Sequence, residues 1–92
     1  MAIEHVPGRD AGQVMLYALS TCVWCKKTRR LLDELRVAYD YEYVDLLQGN
    51  EKTKVMNTVR RWNPMCNFPT LIINDRCIAG FKENEIREAL KP

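Results

Sequence analysis

The chain has 92 residues, of which 47% are apolar and 28% charged, figures that fit one globular domain with a modest core and no need of disulfide or metal staples. Its 14 basic and 12 acidic residues leave a net charge of +2, too balanced to make nucleic acid or an anionic membrane the expected partner. The start lacks a positive segment, apolar core and small-residue cleavage site, so the expected location is cytoplasmic, and the four cysteines read as reactive or metal-binding rather than as a disulfide framework.

Residues 1–12 carry Pro7, Gly8 and Gly12 without a helical period and read as an N-terminal arm ahead of a domain spanning 13–92, with Ile3 to Val6 suited to extended backbone. Val14 to Leu19 is a nearly continuous apolar run, as in a strand covered on both faces. Ser20 and Thr21 end that run, and either can cap the helix that Lys26 to Arg36 predicts, with Leu31, Leu32 and Leu35 as its inward stripe. Tyr39 to Leu46, rich in aromatic and β-branched residues in alternation, reads as a second strand. Strand, helix and strand in this order require a parallel pair joined by a right-handed crossover.

Gly49 and Asn50 mark a turn and cap, after which Val55, Met56, Val59 and Trp62 recur at helical spacing as far as Asn63-Pro64. Thr70 to Ile73 and Arg76 to Ala79, joined by Asn74-Asp75, read as an antiparallel hairpin. Glu83 to Leu90 places Ile86, Ala89 and Leu90 on one face of a short closing helix. The order βαβ, α, ββα predicts an α/β fold with a four-stranded mixed sheet flanked by three helices. No apolar run approaches the ~20 residues of a membrane-spanning helix.

Cys22-Val23-Trp24-Cys25 falls where an apolar strand passes into a helix, and this context favours a redox dithiol over a zinc knuckle. Unpaired N–H groups and the positive end of the dipole at a helix start favour an anion, so Cys22 is the expected nucleophile. Cys25, one turn further in, is placed to attack a mixed disulfide at Cys22 and so to resolve it. Lys26 and Lys27 follow at once, either as partners of a thiolate or anionic substrate, or as ordinary solvated surface. Trp24 is expected to be exposed, as a recognition residue beside the sulfur. Phe68-Pro69-Thr70 puts a proline immediately before a strand, where a cis bond can set a tight turn.

These features together, Cys22-Val23-Trp24-Cys25-Lys26, Phe68-Pro69-Thr70 and Ala79-Gly80-Phe81 ahead of the last helix, resemble the glutaredoxins of the thioredoxin superfamily from about Val14 to Leu90. The resemblance implies a thioredoxin fold, a thiol–disulfide oxidoreductase that acts as a monomer on disulfide-containing proteins or small thiols, and a cis Pro69 facing the dithiol. It also implies substrate contacts from Trp24, Lys26, Phe68, Pro69, Thr70, Gly80 and Phe81, with no bound cofactor.

The sequence departs from the family pattern in three places. Val23-Trp24 replaces Pro-Tyr, Leu19 stands where many glutaredoxins place a glutathione-binding lysine, and Lys82 stands where a Gly-Gly-x-Asp motif carries its aspartate. Gly80-Phe81-Lys82 is instead similar to small redoxins that take electrons from thioredoxin reductase. Glutathione and thioredoxin reductase therefore both stand as electron donors.

Cys66, three residues before Pro69, is either a second thiol at the site's rim or a small loop residue; Cys77, in an apolar strand, reads as a buried hydrophobe. A different class of reading is a metal module. Cys22, Cys25, Cys66 and Cys77 could bind zinc, although the last two lack the tight spacing of a structural pair, and some glutaredoxins bridge an iron–sulfur cluster between subunits through the residue matching Cys22. His5, the only histidine, sits in the arm with no ligand role expected.

Overall fold

A computed structural model describes residues 3–92. The elements are β1 (Glu4–Val6), β2 (Val14–Ala18), α1 (Val23–Leu35), β3 (Tyr39–Tyr43), a 3₁₀ turn (Val44–Leu46), α2 (Gly49–Trp62), β4 (Thr70–Ile73), β5 (Arg76–Ala79) and α3 (Glu83–Ala89). They build one sheet in the order β1-β3-β2-β4-β5. Only β2 and β3 run parallel, Leu16 opposite Tyr41, as the crossover through α1 requires.

The sheet has five strands rather than the expected four. The fifth comes from the stretch read as an arm: β1 pairs antiparallel with β3, His5 opposite Asp40. Three residues are too short to announce a strand by alternation, and their partner lies far along the chain. The rest of the arm is held as well, since Arg9 N–H donates to Arg36 O at 2.7 Å and Ala38 N–H donates to Arg9 O at 2.8 Å. Gly8 permits this approach, because a Cβ there would meet the Val37 carbonyl carbon at 2.6 Å.

Alternation decides which side of the sheet each strand residue serves. Val14, Leu16 and Ala18 of β2, with Leu71, Ile73 and Ile78 from the hairpin, pack under Cys25, Leu31 and Leu32 of α1 and Ile86 of α3 in one core. Leu16, Leu32 and Leu71 are wholly buried, so truncating any of them to alanine should cost about 2–5 kcal/mol. Thr70 alternates with Leu71 onto the opposite face, where it meets Asn63 at the end of α2.

The hairpin turn needs a left-handed residue, which Asn74 supplies at φ 54°. Its side-chain Oδ1 also accepts from Gln13 N–H at 3.0 Å, tying the turn to the start of β2. The Tyr39–Tyr43 strand is fastened to α1 by Arg29, which donates to the hydroxyls of Tyr39 (3.2 Å) and Tyr43 (3.0 Å) and lies 3.9 Å over the Tyr41 ring. No helix among the described residues is long and apolar enough to cross a membrane.

Candidate active site

The chain leaves β2 and makes a turn in which Cys22 N–H donates to Leu19 O at 3.3 Å. Cys22 is extended (φ −90°, ψ 120°), and its own sulfur caps α1 by accepting Cys25 N–H at 3.2 Å. The helix therefore begins at Val23, earlier than the leucine stripe predicts, and neither Ser20 nor Thr21 is the cap. Ser20 is engaged elsewhere: its N–H and its hydroxyl donate to the two carboxylate oxygens of Asp45, at 2.8 and 2.5 Å. Those bonds hold the Asp45 carboxyl below the usual carboxylate range.

The two thiols are free and differently placed. Cys22 is half-buried, whereas Cys25 is 1% exposed and receives Leu19 N–H on its sulfur at 3.4 Å. Burial, reinforced by the hydrogen bond with Cys22, pushes the Cys25 thiol up to about 12 despite the opposing pull of Leu19 N–H. Cys25 thus stays protonated in neutral solution, behind the half-buried Cys22.

The facing wall is built by the loop after α2. Asn63, 4% exposed, directs its Nδ2 to Asn67 O (3.0 Å), Asn67 Oδ1 (2.6 Å) and Thr70 Oγ1 (3.0 Å), while the Thr70 hydroxyl donates to Asn67 O at 2.8 Å. The Phe68–Pro69 bond held by this loop is cis. Pro69 O accepts Gly80 N–H at 2.8 Å, joining the loop to the end of β5.

Trp24, Phe68, Pro69, Gly80 and Phe81 line one groove of about 200 Å³ beside the dithiol turn. Trp24 is 54% exposed and stacks on Phe81 with centroids 5.9 Å apart, the Lys27 ammonium standing 4.7 Å over its ring. Five of the seven expected substrate-contact residues are thereby brought together, and two are not. Thr70 is fully buried with its hydroxyl committed to Asn63 and Asn67, because strand alternation turns it inward under α2. Lys26 lies along a separate concavity with Arg29, Arg30, Asp33 and Tyr43.

Cys66 is half-buried with φ 53°, in the loop that Asn63 organises, and Cys77 is half-buried with its thiol raised by burial. Among the described residues no group of three or more His, Cys, Asp or Glu side chains is placed to hold one metal ion. His5 bonds Asp40 at 2.6 Å on the exposed sheet edge.

Sequence reasoning passes over Asn63, which reads only as a helix terminator, together with Asp45 and the Leu19 backbone. Asn63 followed by Pro64 does signal a helix end, but nothing local announces that its amide binds four and seven residues ahead. Asp45 lies 25 positions from Ser20, and no periodicity connects them.

The sequence profile described as Glutaredoxin matches residues 14–78. The chain is similar to the glutaredoxin of Methanosarcina mazei Go1, at 55% identity over 100% of this chain and 90% of that one, with a TM-score of 0.90. It is also similar to Methanosarcina acetivorans methanoredoxin, at 52% identity over 92% of this chain and 90% of that one, with a TM-score of 0.88. Glutaredoxin-1 of Mus musculus is 27% identical over 87% of this chain and 77% of its own length. With a Cys-x-x-Cys pair at the mouth of α1, a cis proline at the neck of β4 and a family profile covering most of its length, the chain belongs to the glutaredoxin family of thiol–disulfide oxidoreductases.

Proposed function

We propose that the protein reduces disulfides of proteins or small molecules by dithiol exchange, with Cys22 as nucleophile and Cys25 as resolving thiol. The observation that carries this is the unequal burial of the two cysteines about a shared helix start, Cys22 half-buried and Cys25 almost wholly buried. Cys22 as thiolate attacks one sulfur of a substrate disulfide, forming a mixed disulfide and expelling the other sulfur as a thiolate that takes up a proton. Cys25 then loses its proton and attacks the Cys22 sulfur; the Cys22–Cys25 disulfide forms and the second substrate thiol leaves, so two electrons have passed from enzyme to substrate.

The groove of Trp24, Phe68, Pro69, Gly80 and Phe81 receives the segment flanking the substrate disulfide. Glutathione or thioredoxin reductase restores the dithiol, and the protein works as a monomer in the cytoplasm, where thiols are kept reduced.

Cys22→Ser should abolish turnover of a small disulfide, and Cys25→Ser should accumulate the mixed disulfide, visible by intact mass. Turnover by Cys22→Ser at the parent rate would reject the assignment. Running the parent with glutathione plus glutathione reductase, and separately with thioredoxin reductase, identifies the donor by which mixture consumes NADPH.

A further inference from the structure

The turn between β2 and α1 reaches both cysteines through a single residue, one at its sulfur and the other at its backbone. Leu19 N–H donates to Cys25 Sγ at 3.4 Å, and Leu19 O accepts from Cys22 N–H at 3.3 Å. The next residue, Ser20, sits inside that turn and is anchored from outside it by the two oxygens of Asp45, in the 3₁₀ turn that follows β3. β3 is the parallel neighbour of β2, Ala18 opposite Tyr43, so Asp45 reaches across from the adjoining strand end. The clamp is made by a carboxylate that its partners keep ionised, and charge-assisted bonds of this kind are short and about twice as strong as neutral ones.

We infer that Asp45 is a positioning residue for the exchange reaction, holding Ser20 so that the Leu19 N–H stays aimed at Cys25 Sγ while that sulfur attacks Cys22. This rests on the dithiol reading above and adds a residue outside the motif to it. The step concerned is resolution. As Cys25 gives up its proton, the Leu19 N–H meets the negative charge forming on its sulfur, and the charge is discharged as the Cys22–Cys25 bond forms and the substrate thiolate departs. A loose turn would leave that charge unpaired in a nearly solvent-free position.

Asp45 acts on Cys25 in a second, opposite way, because its negative charge disfavours another beside it. The positive charge of Lys52 in α2 further favours the ionised Asp45 carboxylate. The two effects are separable by substitution. Asp45→Asn retains an acceptor for the Ser20 N–H and offers an amide N–H to the Ser20 hydroxyl oxygen while removing the charge; Asp45→Ala removes everything.

The test is rapid-mixing kinetics of the reduced protein with a small chromogenic disulfide, reading attack by Cys22 and resolution by Cys25 as separate phases. Asp45→Ala should slow resolution about tenfold, the loss expected of one hydrogen bond to a charged group, with attack changed less than about twofold on the same scale. Asp45→Asn should resolve at least as fast as the parent.

Resolution by Asp45→Ala at the parent rate would overturn the inference, and so would Asp45→Asn being as slow as Asp45→Ala, since placement would then not be the cause. Equal slowing of both phases in Asp45→Ala would also overturn it, because a merely weakened fold does not discriminate between them. If the parent itself shows no attack phase, the dithiol reading fails rather than this one.

Discussion

The two walls that flank Cys22 are secured in opposite ways. The proline loop hangs on Asn63 and Thr70, 4% and 0% exposed, which bond one another away from water and together hold Asn67. The dithiol turn hangs on Ser20 and Asp45, a pair open to solvent. A hydrogen bond is worth most where its loss leaves a polar group buried and unpaired, and least where water takes over. The first wall is therefore a matter of stability, while the second can be altered with little effect on folding and a direct effect on sulfur chemistry.

The largest effect that would break this contrast belongs to Asn63. Asn63→Ala should lower unfolding free energy by about 2–3 kcal/mol, since it removes the amide that ties Asn67 and the buried Thr70 hydroxyl oxygen to the end of α2, and urea unfolding followed by far-UV circular dichroism measures it. A loss no greater than that of Ser20→Ala would erase the distinction between the two walls. Thr70→Val, nearly isosteric, should cost about 1 kcal/mol in the same assay, as it removes one partner of a buried pair.

The smallest effect is acid sensitivity at Asp45. Its folded carboxyl titrates below the ordinary range, so its contribution to stability is present above the unfolded carboxylate value and fades as pH falls through the folded one. Between neutral pH and about pH 3, the parent should lose slightly more stability than Asp45→Asn. A parallel decline in both proteins would mean that the charge of Asp45 contributes nothing to folding.

The reactive end of the molecule is more legible than the elements that hold it. Cys22 and Cys25 declare themselves by spacing and by the strand-to-helix context, and the hairpin by Asn74-Asp75 between two apolar runs. The cis Pro69 follows from the family resemblance alone, since most bonds before proline are trans. Ser20 and Thr21 have the chemistry of helix caps, yet a distant carboxylate claims Ser20 and the sulfur of Cys22 takes the role.

Thr70 reads as a substrate contact from its place beside Pro69, but the pleat of β4 turns its side chain to the other face. The stretch Glu4–Val6 reads as extended but not as part of the sheet for a related reason: a three-residue strand is defined by its partner, and β3 lies some 35 residues away. Contacts fixed by local period can be read in advance, and contacts fixed by the closing of the sheet cannot.

Trp24 stacks on Phe81 beneath the Lys27 ammonium, half in water and two residues from Cys22. Indole emission depends on solvent contact and nearby charge, so this side chain is a built-in optical probe of the groove. Its signal should respond when a ligand covers the ring, over a background from Trp62 at the C-terminal end of α2. Occupancy of the site can thus be followed in the unlabelled protein.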